Sequence, residues 1–255
     1  MRKKIGIIFL LMIACSFVAC GKSNEVKEIN ISVAASLTDP INEIIQEYSS
    51  NKDNIKINVN SGGSGTLKKQ ISQGADVGVF FTADEKYIDQ LIDEGLVNKE
   101  DKVNPITNEL ILIKSNSSDK KIESLSSLID TDLKIALGDF NTVPVGQYSK
   151  ESLEHEKIWD SIQDKIIYGN SVKAVKSYVE RGEVDCGIIY KSDANTLENS
   201  TIVMELPDNI HEKIVYSIAP IKGYKYEDEC KEIIEYINSN ESKNIFKKYG
   251  FTVME

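Results

Sequence analysis

Arginine is almost missing from this chain. Arg2 and Arg181 are the only two among 255 residues. The bidentate guanidinium clamp, a common protein device for holding carboxylate or phosphate, is therefore all but excluded. Histidine is as scarce. His155 lies in a charged helical stretch and His211 beside Pro207-Asp208-Asn209, and both read as surface residues. A metal centre or Ser-His catalysis lacks its usual parts. Of four cysteines, Cys15 and Cys20 belong to the N-terminal segment. Cys186 and Cys230 remain. They can pair in an oxidising compartment, but Cys186 sits in the apolar stretch 185–190, which favours a buried free thiol. Solenoid repeats, low-complexity tracts and interior linkers are absent from the sequence. Gly62-Gly63-Ser64-Gly65-Thr66 is not a Walker loop, because no G-K-[ST] follows. It is not a nucleophile elbow, because Thr66 stands where that pattern needs glycine.

Arg2, Lys3 and Lys4 precede an apolar run over residues 5–18. The run is too short and too early for a membrane span and reads as a secretory leader, residues 1–19. Phe17-Val18-Ala19-Cys20 resembles the lipobox of bacterial lipoproteins, with 20–27 as lipid attachment and tether. Cys20 is then the lipidation site, and the mature chain is held on the extracytoplasmic face of the cell membrane. The simpler alternative is an ordinary leader cut near Ala19. Without the three leader cations, 27 basic residues face 40 acidic ones, a net charge of −13. Nucleic-acid binding, which needs basic patches, is excluded. Any anion has to be held by local geometry against the overall field.

Apolar periodicity alternates between the strand and helix patterns. Strands are predicted over 29–35, 55–60, 77–81, 109–114, 133–137, 166–168, 186–190, 202–206 and 213–221. Helices are predicted over 40–48, 66–72, 84–94, 122–129, 145–153, 172–181, 226–238 and 241–248. Repeated strand–helix units imply α/β architecture with mostly parallel sheets flanked by helices. Ligands in such folds sit beyond the carboxyl ends of the strands. Two such blocks are followed by a long strand and two helices able to return to the first block. The pattern predicts a two-lobed, hinged molecule: 28–106 plus 215–255 as lobe 1, and 107–214 as lobe 2.

Four helix starts stand out on that rim: Ala35-Ser36-Leu37-Thr38, Gly62 to Thr66, Val143-Pro144-Val145-Gly146 and Asn170-Ser171-Val172. A helix start carries orphan N–H donors and about half a positive charge. It attracts oxyanions without any cation. Ser36 can instead merely cap a helix, the Gly-rich stretch can be a plain turn with Thr66 opening the helix, and Asn170 reads as a good cap. Tyr190 ends an apolar strand, which carries its hydroxyl to the same rim.

Six segments then match a family in order and spacing. They are Ala34 to Thr38; Gly63 to Leu67; Phe81-Thr82-Ala83-Asp84; Gly138-Asp139 with Val143 to Gly146; Gly187 to Tyr190 with Ser192-Asp193-Ala194; and Phe246 to Phe251. Together they resemble the substrate-binding protein of bacterial molybdate ABC transporters. The resemblance implies a class II periplasmic-binding-protein fold that holds molybdate or tungstate between its lobes. It implies ligation by the hydroxyls and N–H groups of Ser36 and Ser64, the backbone N–H groups of Val145 and Val172, and the Tyr190 hydroxyl. No cofactor, no cationic metal and no turnover are expected. The implied partners are an ABC permease and its ATPase, with the receptor itself a monomer. Sulfate or phosphate receptors of the same fold are the alternatives within this class. A secreted hydrolase using Ser64 is the alternative outside it; it needs a base within reach, and only two histidines are on offer. The family usually carries Asp where Gly78 stands, so that loop loses one supporting side chain here.

Overall fold

Two β-sheets, each flanked by helices, organise the computed structural model, which describes residues 26–254 apart from 51, 53 and 131. The leader and Cys20 lie outside the described residues. The first sheet is built from β1 (Lys27–Ala34), β2 (Ile55–Gly62), β3 (Val79–Thr82), β4 (Val103–Asn108), β10 (Ile214–Pro220) and β11 (Thr252–Val253). The second contains β5 (Leu110–Ser115), β6 (Ile135–Gly138), β7 (Ile166–Gly169), β8 (Cys186–Tyr190) and β9 (Ser200–Glu205). Their spatial orders are β11-β4-β10-β3-β1-β2 and β7-β6-β8-β5-β9. The chain passes from the first sheet to the second at Glu109 and returns between Glu205 and Ile214.

The expected parallel character holds for only part of each sheet. β2-β1-β3 and β7-β6-β8 pair in parallel. β10 runs antiparallel between β3 and β4, and β5 antiparallel between β8 and β9. Each is the first strand after the chain crosses between the sheets, and β11 also runs antiparallel, against β4.

Burial explains the strand compositions. Leu110, Ile111, Leu112 and Ile113 are all inaccessible, as expected for a strand covered on both faces. At the edge, β9 leaves Ile202 half exposed. β4 has no counterpart in the predicted strands, because Pro105 and the polar residues around it hide an apolar alternation. The helices that matter for the site are α1 (Thr38–Ser49), α2 (Ser64–Ser72), α3 (Lys86–Asp93), α4 (Pro144–His155), the short α5 (Trp159–Ile162) and α6 (Val172–Glu180). At the C-terminus, α7 (Glu227–Ile237) and α8 (Asn240–Lys248) return to the first sheet, where Phe246 packs edge-on against Phe81.

Local details revise several expectations. α2 opens at Ser64, two residues before Thr66. The cap of α6 is Ser171, not Asn170: its Oγ accepts the Ala174 N–H at 3.2 Å. Ser36 caps no helix and lies inside a 3-10 turn, Ala35–Leu37. Cys186 and Cys230 are free and buried, and burial pushes both thiols up to about 12. Gly78 cannot be the family's aspartate here, since a Cβ would lie 2.6 Å from Cys230 Sγ. Asp76 supports that loop instead, accepting from Asn30 Nδ2 at 2.9 Å.

Candidate binding site between the lobes

The N-termini of α2, α4 and α6 point into one small, partly open cavity at the seam between the sheets. From the first sheet's side come Ala34, Ala35, Ser36, Gly62, Gly63, Ser64 and Ala83. From the second come Val143, Pro144, Val145, Val172 and Tyr190. All five residues singled out from the sequence, namely Ser36, Ser64, Val145, Val172 and Tyr190, meet there. They come from the segments after β1 and β2 and from those after β6, β7 and β8. Each is the point where a strand ends and the chain turns, so the rim is populated by turn residues and helix starts.

The lining carries no Lys, Arg, Asp or Glu. Its positive character is made of dipoles. Val145 and Val172 occupy the second and first positions of their helices, where no intrahelical acceptor exists for their N–H groups. Pro144 fits the first position of α4 because proline has no N–H to satisfy. The Ser64 hydroxyl accepts the N–H of Ala83 at 3.2 Å. The Ser36 hydroxyl is 2.9 Å from that of Tyr216. Tyr190 is 2 % exposed, and its hydroxyl has no hydrogen-bond partner among the described residues. Burial drives its pKa far above the usual tyrosine value, so it remains a proton donor. An unpartnered buried hydroxyl costs free energy unless a ligand satisfies it.

Backbone meets backbone where the lobes touch. Gly65 N–H donates to Thr142 O at 2.9 Å. Beside it, a Cβ on Gly63 would lie 2.8 Å from Asn170 O. Lys173 pairs with both carboxylate oxygens of Asp39 at 3.0 Å. The nearest buried acid in sequence, Asp84, is engaged by Lys86, through the Lys86 N–H at 3.0 Å and the ammonium at 2.8 Å.

The sequence profile of the bacterial extracellular solute-binding proteins matches residues 29–252. The chain belongs to that family. Among relatives of this solute-binding protein, a putative ABC transporter substrate-binding lipoprotein, YvgL of Bacillus subtilis, is 42 % identical over 96 % of this chain and 94 % of its own length. The molybdate-binding protein ModA of Haemophilus influenzae is 31 % identical over 99 % of both. Among solved structures, the substrate-binding domain of a putative molybdenum ABC transporter from Clostridium difficile superposes with a TM-score of 0.68 at 33 % identity, covering 89 % of this chain and 99 % of that one. The Azotobacter vinelandii periplasmic molybdate-binding protein has a TM-score of 0.78 at 20 % identity, covering 89 % of this chain and all of that one. It speaks for the two-lobed fold alone.

Several participants escaped the sequence reading. Tyr216 and Asn108 stand behind Ser36, and Ala83 behind Ser64. Tyr216 is the one aromatic residue in a mostly aliphatic strand, which was its one visible signal. His211 is a correction of another kind. It is half-buried rather than on the surface, because its ring packs on Tyr148 with centroids 6.0 Å apart. Neither histidine lines the cavity.

Proposed function

We propose that this solute-binding protein captures molybdate or tungstate between its lobes and delivers it to an ABC permease driven by an ATPase. One observation carries the reading: Ser36, Ser64, Val145, Val172 and Tyr190 converge on one uncharged, donor-rich cavity. Hydrogen bonds to a charged group contribute about 1.5–3 kcal/mol each. Five or more such bonds reach the roughly 8 kcal/mol that corresponds to micromolar affinity, and part of that gain offsets the cost of closing the lobes. The cavity offers no carboxylate to accept a proton from hydrogen phosphate, so phosphate is disfavoured. Sulfate is a fully ionised dianion, and size separates it from molybdate. The Haemophilus influenzae relative named for molybdate binding and the solved domain of a putative molybdenum ABC transporter support the same choice.

The protein binds and releases its ligand without chemical turnover. Ser64 Oγ faces the Ala83 amide, not a base. Lipidation at Cys20 tethers the receptor to the membrane, as the name of the Bacillus subtilis relative suggests for that protein. The receptor works as a monomer. Isothermal titration with molybdate, tungstate, sulfate and phosphate tests the assignment. Tight binding of the first two, with sulfate orders of magnitude weaker, is expected. Equal affinity for molybdate and sulfate would sink it.

A further inference from the structure

Behind the cavity, a buried chain of polar side chains runs from Ser36 to the point where the polypeptide crosses between sheets. Ser36 Oγ lies 2.9 Å from Tyr216 Oη on β10. Asn108 Nδ2, at the end of β4, lies 3.1 Å from the same Tyr216 oxygen and 2.8 Å from Ser192 Oγ. Asn108, Ser192, Ser36 and Tyr216 are all buried, and Tyr216 is inaccessible.

The far end of this chain fixes the direction of its first hydrogen bonds. Asn108 Oδ1 accepts two backbone N–H groups, from Glu109 at 3.0 Å and Ser192 at 3.3 Å. That fixes the amide orientation, since the flipped form would set an NH2 group against two N–H donors. The two hydrogens of Nδ2 therefore go to Ser192 and Tyr216. Either hydroxyl of the Ser36–Tyr216 pair can donate, and the buried Tyr216 hydrogen finds an acceptor within hydrogen-bond distance only when it goes to Ser36. Ser36 Oγ, already accepting, turns its hydrogen into the cavity. Ser64 Oγ likewise accepts one N–H, from Ala83, and keeps its own hydrogen to donate. Burial raises the Tyr216 pKa, so the relay keeps its proton.

We propose that Asn108 and Tyr216 are positioning residues that set anion selectivity, by compelling Ser36 to present a hydrogen rather than a lone pair to the ligand. This rests on the oxyanion-receptor reading above. Its chemical consequence is that the cavity accepts fully deprotonated tetrahedral oxyanions. It disfavours those that still carry a proton, because Ser36, already donating, offers a ligand O–H no favourable partner. Asn108 also precedes the crossing residue Glu109 and holds Ser192, two residues beyond Tyr190. The same amide thus ties the first lobe's serine to the second lobe's tyrosine segment.

The test titrates wild type, Tyr216→Phe, Asn108→Asp, Ser36→Ala and the Tyr216→Phe/Ser36→Ala double variant with molybdate, sulfate and phosphate at about pH 8, where phosphate retains one proton. Thermal melts of each variant report folding. Tyr216→Phe is expected to weaken the preferred dianion about tenfold while sparing phosphate, so the dianion-to-phosphate ratio falls. Asn108→Asp replaces the donor facing Tyr216 by an acceptor, reverses the chain and lowers the ratio further. In the double variant, Tyr216→Phe is expected to add nothing to the loss caused by Ser36→Ala. A purely structural role for Tyr216 would add its loss in either background and leave the ratio unmoved. Wild type binding molybdate normally, with Tyr216→Phe unchanged in affinity and ratio, overturns the relay and leaves the receptor intact. Wild type preferring sulfate overturns the molybdate assignment, and the relay is then judged on sulfate. Wild type binding none of the three overturns both.

Discussion

Gly65 and Thr142 meet backbone to backbone, N–H to carbonyl at 2.9 Å, and they belong to opposite lobes. The contact is possible because neither neighbouring lobe-1 glycine carries a Cβ. One built on Gly65 would lie 2.9 Å from Thr142 Cα, Thr142 O and Tyr87 Oη. Gly65→Ala is therefore expected to hold the lobes apart. Alanine is a good residue within α2 and should leave the melting temperature nearly unchanged. Ligand affinity should fall by tenfold or more, and small-angle scattering with ligand should show a molecule that does not contract. An alanine variant that binds and contracts normally would remove the seam from the account.

Tyr190→Phe tests the unpartnered hydroxyl. The group makes no hydrogen bond among the described residues, so its loss should cost no stability. It should remove one bond to a charged ligand, about 1.5–3 kcal/mol, roughly ten- to a hundredfold in Kd by titration. Unchanged affinity would place Tyr190 outside the ligand shell.

Asp193 is buried beside the seam, with Oδ2 unpartnered. Burial pushes its carboxyl up to about 7, with Lys176 and Lys173 opposing the shift and Asp39 adding to it. In the unfolded chain it ionises near the ordinary value of 3.8. Between these two values the folded protein holds more protons than the unfolded one. Stability from this residue accordingly falls as pH rises through that window. Asp193→Asn should raise the melting temperature at about pH 8, and the gain should vanish toward pH 4. A gain independent of pH would refute the titration of Asp193.

The Lys173–Asp39 pair spans the lobes but is exposed on both sides. Such pairs contribute about 0–1 kcal/mol. Asp39→Asn should change ligand affinity by less than about fivefold, and the small effect should fade in high salt. A loss of two orders of magnitude in titration would show that closure depends on this charge pair.

The cavity residues were legible because each sits at a local junction of strand and helix, and local junctions leave marks such as Gly-Gly-Ser-Gly or Val-Pro-Val-Gly. Tyr216 and Asn108 left none. Tyr216 meets Ser36 across 180 positions of sequence, and Asn108 meets Ser192 across 84. A tyrosine in Ile-Val-Tyr-Ser-Ile reads as core, which it also is. β4 was lost for a related reason. Val103 and Ile106 bracket Pro105, and the partnership with β10 and β11 makes that stretch a strand. The cap of α6 shows the local limit: Asn170 and Ser171 are both good caps, and backbone geometry chose the second.

The double passage of the chain between sheets governs the order of assembly. β5 through β9 come from the continuous stretch 110–205, and every strand of that sheet has been synthesised once residue 205 has emerged. The other sheet is not so fortunate. Its β3 and β4 have no common neighbour until β10, residues 214–220, slides between them. A chain stopped short of Ile214 would keep a finished half joined to one in which β4 has no partner and β3 an open edge. Open edges of that kind invite pairing with other chains. The last forty residues therefore act as a keystone, and premature termination near the end should yield aggregates rather than a half-active receptor.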